Sequence, residues 1–549
     1  SGAINNTYIG YGVGDATHTN AADNNTGVGY NALTALTTGS VNTAIGSGSM
    51  EAITIGRYNT AVGFETLHND VGGQESTAIG YAALFNQDMG DSLLSSNNTA
   101  VGLTAGYTNV TGTDNTWVGF QAGKGGVGNN SNNVGIGSNA LLAITSGGSN
   151  VAIGKDAMKL GTTMSNSIAI GALALDAVTT GDQRSIAIGG SALGSYTNAG
   201  TDDIHNVAVG TGAAEALTTG KENIAIGGFS FNAANATETG NIAIGMDAMG
   251  AVDEGENGGS DTVSADNNIA IGTDALLGGD MGDASSSSGA NRIFDGNIAI
   301  GAFAMDATST NPQTGTIAIG HQSLTALTSG SGNVAVGYQA GDTFTSQGGN
   351  TVIGYQVAQA STAGNITAVG YLALEDCTAD GTVGIGHSAG KNITSGANNV
   401  AIGYQALLVN ETGGYNTAVG NTALDACTGG QNTATGWASG GAIIGGANNA
   451  CFGSNAGNSI TTGSQNTIIG SDSNPNAVGG ANQSVIGYGV SGVADNSVIL
   501  GNASVTDVYM AQDSGAIVHS GAVVNGLSAI LLTTGTLAYA THSIVRGKY

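Results

Sequence analysis

Apolar and polar residues in this chain alternate in short, regularly spaced runs. Asn-Thr-Ala-Ile-Gly or a close variant returns throughout: NTAIG at Asn42–Gly46, NTAVG at Asn59–Gly63, NVAIG at Asn150–Gly154, NIAIG at Asn241–Gly245 and NTAVG at Asn416–Gly420. The terminal Gly marks 28 positions from Gly10 to Gly501, and twenty of the 27 intervals are 16, 17 or 18 residues. Within the pentapeptide, β-branched residues at positions two and four alternate with Asn, Ala and Gly at positions one, three and five. That period of two predicts a strand. The YxAL or YxAG segment that follows predicts a second short strand, and the TTG, TSG or Asn/Gly pairs between them are turn chemistry, since Gly and Asn tolerate positive φ.

A unit such as Tyr30–Gly46 (YNALTALTTGSVNTAIG) is too short for a helix pair and too poor in apolar surface to fold alone. Stacked on its neighbours it gives an all-β repetitive solenoid with Ile over Ile, Thr over Thr and Asn over Asn. At about 4.8 Å per rung the rod is on the order of 130 Å long. The Ala/Gly face is expected to let other chains approach, and so thin a core makes trimerisation the natural remedy. The repeat spans residues 1–501, and 502–549 form a distinct C-terminal tail. The period breaks at Gly250–Asn267 and Gly278–Gly296, with smaller insertions at Phe85–Asn97 and Ser195–His205. Insertions that leave the rungs on both sides intact are loops on one face, often a binding face.

Composition removes several function classes. Of 549 residues, 95 are Gly and 2 are Pro, with no G-X-Y period, which excludes collagen and Pro-rich disorder. A formal charge of −28 argues against binding nucleic acid or an anionic membrane. No run of 18 apolar residues is present, so no membrane insertion by a helix is expected. Ser1 in place of Met points to a processed chain or a fragment. Cys377, Cys427 and Cys451 are too few for a disulfide framework. The first two lie three rungs apart, roughly 14 Å by strand spacing, beyond the reach of a disulfide, and all three read as small buried hydrophobes.

NTAIGYxAL…TTGxxNTAIG resembles the Gly-rich repeats of phage tail fibres and of the heads of trimeric autotransporter adhesins. The resemblance implies a left-handed parallel β-roll of about 17 residues per rung in an elongated homotrimer. Ser504–Gly521 (SVTDVYMAQDSGAIVHSG) resembles the segment that follows such repeats in tail fibres. No heptad stalk and no membrane-anchor strands follow the repeat, which favours a fibre over an autotransporter. The function implied is a structural fibre and adhesion protein, most simply a phage tail-fibre shaft that attaches to a host-surface glycan or protein. The setting implied is a virion or the extracellular surface. The alternatives are a cell-surface trimeric adhesin, a self-assembling extracellular filament and, using the Thr43, Thr60, Thr77, Thr99 and Thr116 column, an ice-binding solenoid.

No enzymatic activity and no cofactor are expected. Gly386–Gly390 (GHSAG) matches the nucleophile elbow, and Gly123–Gly128 (GKGGVG) matches a dinucleotide fingerprint, but both read as parts of the repeat without the strand–helix context those motifs need. The seven His are dispersed, which disfavours zinc. Asp253, Glu254, Glu256 and Asp261 are weak Ca²⁺ candidates, lacking the EF-hand order of ligands. As receptor contacts we take Asp253, Glu256, Asp261, Asp283, Arg292 and Phe294. A column of rings after the pentapeptide Gly (Tyr11, Tyr30, Phe64, Tyr81, Phe120, Tyr338, Tyr355, Tyr371, Tyr404, Tyr488) reads as a packing ladder in preference to a carbohydrate-binding face.

Overall fold

The computed structural model describes residues 2–19, 21–90, 93–126, 128, 130–180, 184–197, 204–234, 237–252, 263–278, 292–308 and 313–508. Among these there is no helix, and the principal element is one 28-stranded parallel sheet. Each pentapeptide forms its predicted strand, three residues long in most rungs, from Thr7–Ile9 to Ser497–Leu500. Consecutive strands pair in register, Thr26 with Thr43 and Thr43 with Thr60, Ile242 with Ile269 and Ile269 with Ile298. The Ile242–Ile269 and Ile269–Ile298 pairings hold the register across the two longest insertions. The fold is a parallel β-solenoid.

The wall opposite the sheet differs from expectation. YxAL is not a strand. Alternate residues there take positive φ, Asn31 at 53° and Leu33 at 56° in one rung, Glu65 at 50° and Leu67 at 49° two rungs on. Its backbone still bonds from rung to rung: Leu33 donates to the Ser49 carbonyl at 3.2 Å and Ala35 to the Glu51 carbonyl at 3.1 Å. A left-handed conformation costs a non-Gly residue about 1–2 kcal/mol, and burying a leucine returns about 1.5–3 kcal/mol. The conformation is therefore sustained where Leu or Met enters the core, as Leu33, Met50, Leu67 and Leu84 do.

The strand face is inverted relative to the sequence reading. The central Ala points inward: Ala44, Ala61, Ala78 and Ala100 are fully buried. The β-branched residues at positions two and four point out. The roll is so narrow that the strand wall has room only for Ala once Leu or Met has come across from the turn wall. The Ala column is thus the core of the chain and not a surface for neighbours.

Asn over Asn is observed. Asn42 donates from its backbone N and its Nδ2 to Oδ1 of Asn25 (3.0 and 3.1 Å), and Nδ2 also donates to the Gly56 carbonyl at 2.9 Å. Asn59 repeats this on Asn42, Asn150 on Asn133, and Asn466 on Asn449. Each buried amide thereby satisfies its own groups and an orphan carbonyl at the next corner.

Candidate functional site

Three outward columns run side by side along the rod, at pentapeptide positions two and four and at the residue after the Gly, hereafter the sixth. The fourth column is Ile or Val without interruption from Ile9 to Val419, and the second is Val or Ile from Val134 to Val334. The fourth-column side chains are open to solvent in many rungs, 36% for Ile188 and 40% for Ile45, while those of the second column from Val134 to Val334 are half-buried. The sixth column carries the rings. From His321 through Tyr338, Tyr355, Tyr371 and His387 to Tyr404, successive centroids lie 5.6, 5.1, 5.5, 4.9 and 5.2 Å apart. Tyr11–Tyr30 and Phe64–Tyr81 stack in the same column at 5.5 and 5.3 Å. The rings are both a ladder and a surface, since Tyr338, Tyr355, Tyr371 and Tyr404 are all exposed. Beside them Gln356 donates to Gln339 at 2.9 Å and Gln339 to Gln322 at 3.0 Å.

Asp253, Glu254, Glu256, Asp261 and Asp283, read as receptor contacts or Ca²⁺ ligands, lie outside the described residues. Among the described residues no group of three or more His, Cys, Asp or Glu is placed to hold a metal. Arg292 begins a two-residue strand, Arg292–Ile293, paired in parallel with Val263–Ser264. Phe294 is corrected. It is 1% exposed and fills the core, while its carbonyl accepts from Asn268 Nδ2 at 2.7 Å. It belongs to the rung corner, and a receptor cannot reach it there. The insertions after Gln87, Tyr196 and Val252 leave from one point of the rung. They follow the buried residue that closes the turn wall (Leu36 in a regular rung; Gln87, Tyr196 and Val252 in interrupted ones) and end before the ladder Asn.

The two enzyme-like motifs lie on rung corners of the solenoid. Ser388 Oγ lies 3.0 Å from His387 Nδ1, but Ser388 is buried and occupies the left-handed turn position that Gln405 and Gln339 hold in other rungs. Gly123, alone among the glycines of its motif, makes room for Trp117, as do Gly106 and Gly135 outside it; Trp117 replaces the core Ala in its pentapeptide and is fully buried. A methyl group added at Gly123, Gly106 or Gly135 would stand 2.3, 2.8 or 2.8 Å from the indole. The three thiols are free and buried, and burial pushes them up to about 11 for Cys377 and Cys427 and about 12 for Cys451, so they are poor nucleophiles.

One polar cluster escaped the sequence reading. Ser76 interrupts the Asn ladder, and Gln87 spans the gap. Its Nε2 donates to Asp70 Oδ2 at 2.6 Å and to the hydroxyls of Ser76 and Ser96 at 3.1 Å, while its Oε1 accepts from Asn98 at 2.9 Å. Gly73 N donates to Asp70 Oδ1 at 2.9 Å. Burial raises the Asp70 carboxyl above its ordinary range despite these bonds. The available signal was the Asp and Gln standing where Leu36 and Ile53 stand in regular rungs. No family model and no curated protein matches this chain.

Proposed function

We propose that the chain is one of three parallel subunits of an elongated fibre whose role is structural and adhesive, a tail-fibre shaft or a comparable extracellular appendage. The observation that carries this reading is the continuous outward strip of β-branched and aromatic side chains. The 23 rungs from Ile9 to Val419, at about 4.8 Å each and with two columns spanning about 13 Å, give a strip on the order of 1,400 Å² per chain. Soluble monomers rarely expose apolar patches beyond about 300–600 Å², whereas about 800 Å² per partner is enough for a stable interface. A strip that is straight, repetitive and identical in every copy is best covered by other copies of itself. The number three follows the fibre-like repeat motif. Contact with a host glycan or protein is assigned to the insertions, which in a trimer would be presented three times over for avid attachment.

Sedimentation velocity with an absolute mass tests the assembly. The expected result is an elongated particle of three 53.3 kDa chains, reduced to single chains by Ile224→Asp with Ile242→Asp. A single-chain wild type overturns the fibre. For adhesion, removal of residues 253–262 and 509–549 is expected to abolish attachment to cells while leaving the mass unchanged; undiminished attachment overturns that assignment.

A further inference from the structure

The strip does not keep to the same columns along the rod. Aromatic residues in the sixth column coincide with Thr in the second: Tyr11 with Thr7, Tyr30 with Thr26, Phe64 with Thr60, Tyr81 with Thr77 and Phe120 with Thr116. From Ser138 to Ala302 the sixth column holds no ring, and over that stretch the second column is Val or Ile throughout. The rings then return at His321, and Thr returns to the second column at Thr351 and Thr367, beside Tyr355 and Tyr371. The two patterns overlap at Ile317, Val334, Val383 and Val400, which share rungs with His321, Tyr338, His387 and Tyr404. Along the rung the fourth column stands between the other two, and it stays Ile or Val throughout this range.

Resting on the self-association proposed above, we infer that the contact between copies of this chain changes columns along the fibre. It uses the fourth and sixth columns in the ring-bearing end segments and the second and fourth in the centre. In most rungs from Thr7 to Tyr404, bulk removed from one side of the fourth column is replaced on the other, so the apolar strip keeps its width while its midline moves; Thr43 with Ser47, and beyond this range Thr417 with Asn421 and Thr467 with Ser471, carry bulk on neither side. Residues two apart on a strand are separated by about 6.6 Å, and this is the distance through which the contact migrates. Each subunit therefore presents a different flank to its neighbours in the middle than at the ends. The occupant is a second copy because the compensation is internal to the chain: only a surface carrying the same changeover at the same height follows it.

Single cysteines in the full-length protein test this with a short bis-maleimide, since the native thiols are buried. Ile244→Cys, in the fourth column, is expected to cross-link between chains. Ile242→Cys (second column, centre) and Tyr355→Cys (sixth column, end) are expected to cross-link several-fold more than Thr60→Cys (second column, end) and Gly228→Cys (sixth column, centre). Equal yields for Ile242→Cys and Thr60→Cys, with little at Tyr355→Cys, would mean that one column serves throughout and would overturn the inference. A trimeric mass without cross-linking at Ile244→Cys would overturn the strip as the interface, and a single-chain mass would remove self-association itself. A second arm uses compensation. Tyr355→Ala is expected to raise the concentration at which the assembly dissociates several-fold, and adding Thr351→Ile to restore it; no restoration overturns the exchange.

Discussion

At the scale of single residues the buried polar groups decide most. Asp70 has two well-placed donors and is nevertheless pushed above the ordinary carboxylate range, because desolvation of the charge outweighs the bonds from Gln87, Gly73 and Met89. The folded chain thus binds its proton more tightly than the unfolded chain does. Such a group favours folding below the ordinary carboxylate value of about 4, and that contribution is lost as pH rises through the raised value. Asp176, Asp306, Asp342, Asp376 and Asp425 shift in the same direction, burial being the largest cause in each. Asp156, held down first by its bond from Asn139, shifts the other way. The thermal midpoint is accordingly expected to be higher at pH 5 than at pH 7. Asp70→Asn, which keeps an acceptor for Gly73, is expected to narrow that difference; an unchanged difference would show that Asp70 does not set it.

At the scale of the rung, the corner after each strand is the most constrained point. Gly227 has φ +139°, and a methyl group there would stand 2.2 Å from the carbonyl oxygen of Gly245 on the next rung, whereas Gly228 has open space. Gly227→Ala is expected to cost on the order of 3 kcal/mol or more, and Gly228→Ala to change stability by about 0.5 kcal/mol at most, as read by thermal unfolding. The strand of each rung and the Asn ladder were legible in the sequence because period and turn chemistry leave little choice. Which face points inward was not. Alternation of Thr/Ile with Ala is the same pattern whichever side is buried, and the outcome here depends on the space left by Leu33 and its equivalents from the other wall. The turn wall was misread as a strand for a related reason: nothing in Asn31-Ala32-Leu33 announces that two residues without the freedom of glycine will adopt positive φ. The rings were legible as a column, but not their exposure. The Asp70–Gln87 cluster was hidden because polar residues there take the repeat position that holds Leu36 and Ile53 in other rungs, and only the stacking of rungs brings them onto Ser76, Ser96 and Asn98.

At the scale of the molecule, each rung bonds only to its neighbours, so register matters more than length. Removal of residues 399–415, one complete rung from one ladder Asn to the next, is expected to leave a folded, shorter rod. Deleting Ala401 alone would bring Ile402 into the place of a core Ala and is expected to be the more damaging change. Circular dichroism and thermal unfolding would compare the two; equal damage would mean that alternation across the strand is not what holds the register. The Asn ladder also gives the rod a direction. Backbone bonds of the sheet point alternately toward each end, Thr43 donating to Asn59 and Gly46 to Val28, so their polarity largely cancels. The side-chain amides do not alternate: Asn59 donates to Asn42, Asn150 to Asn133, Asn268 to Asn241 and Asn466 to Asn449. Their dipoles add along the axis, as peptide dipoles do in a helix, with the positive end at the N-terminal rungs. The shaft is in this sense an electret, a neutral column of frozen polarisation within a negatively charged rod, and it would distinguish its two ends in an electric field even where its repeating surface does not.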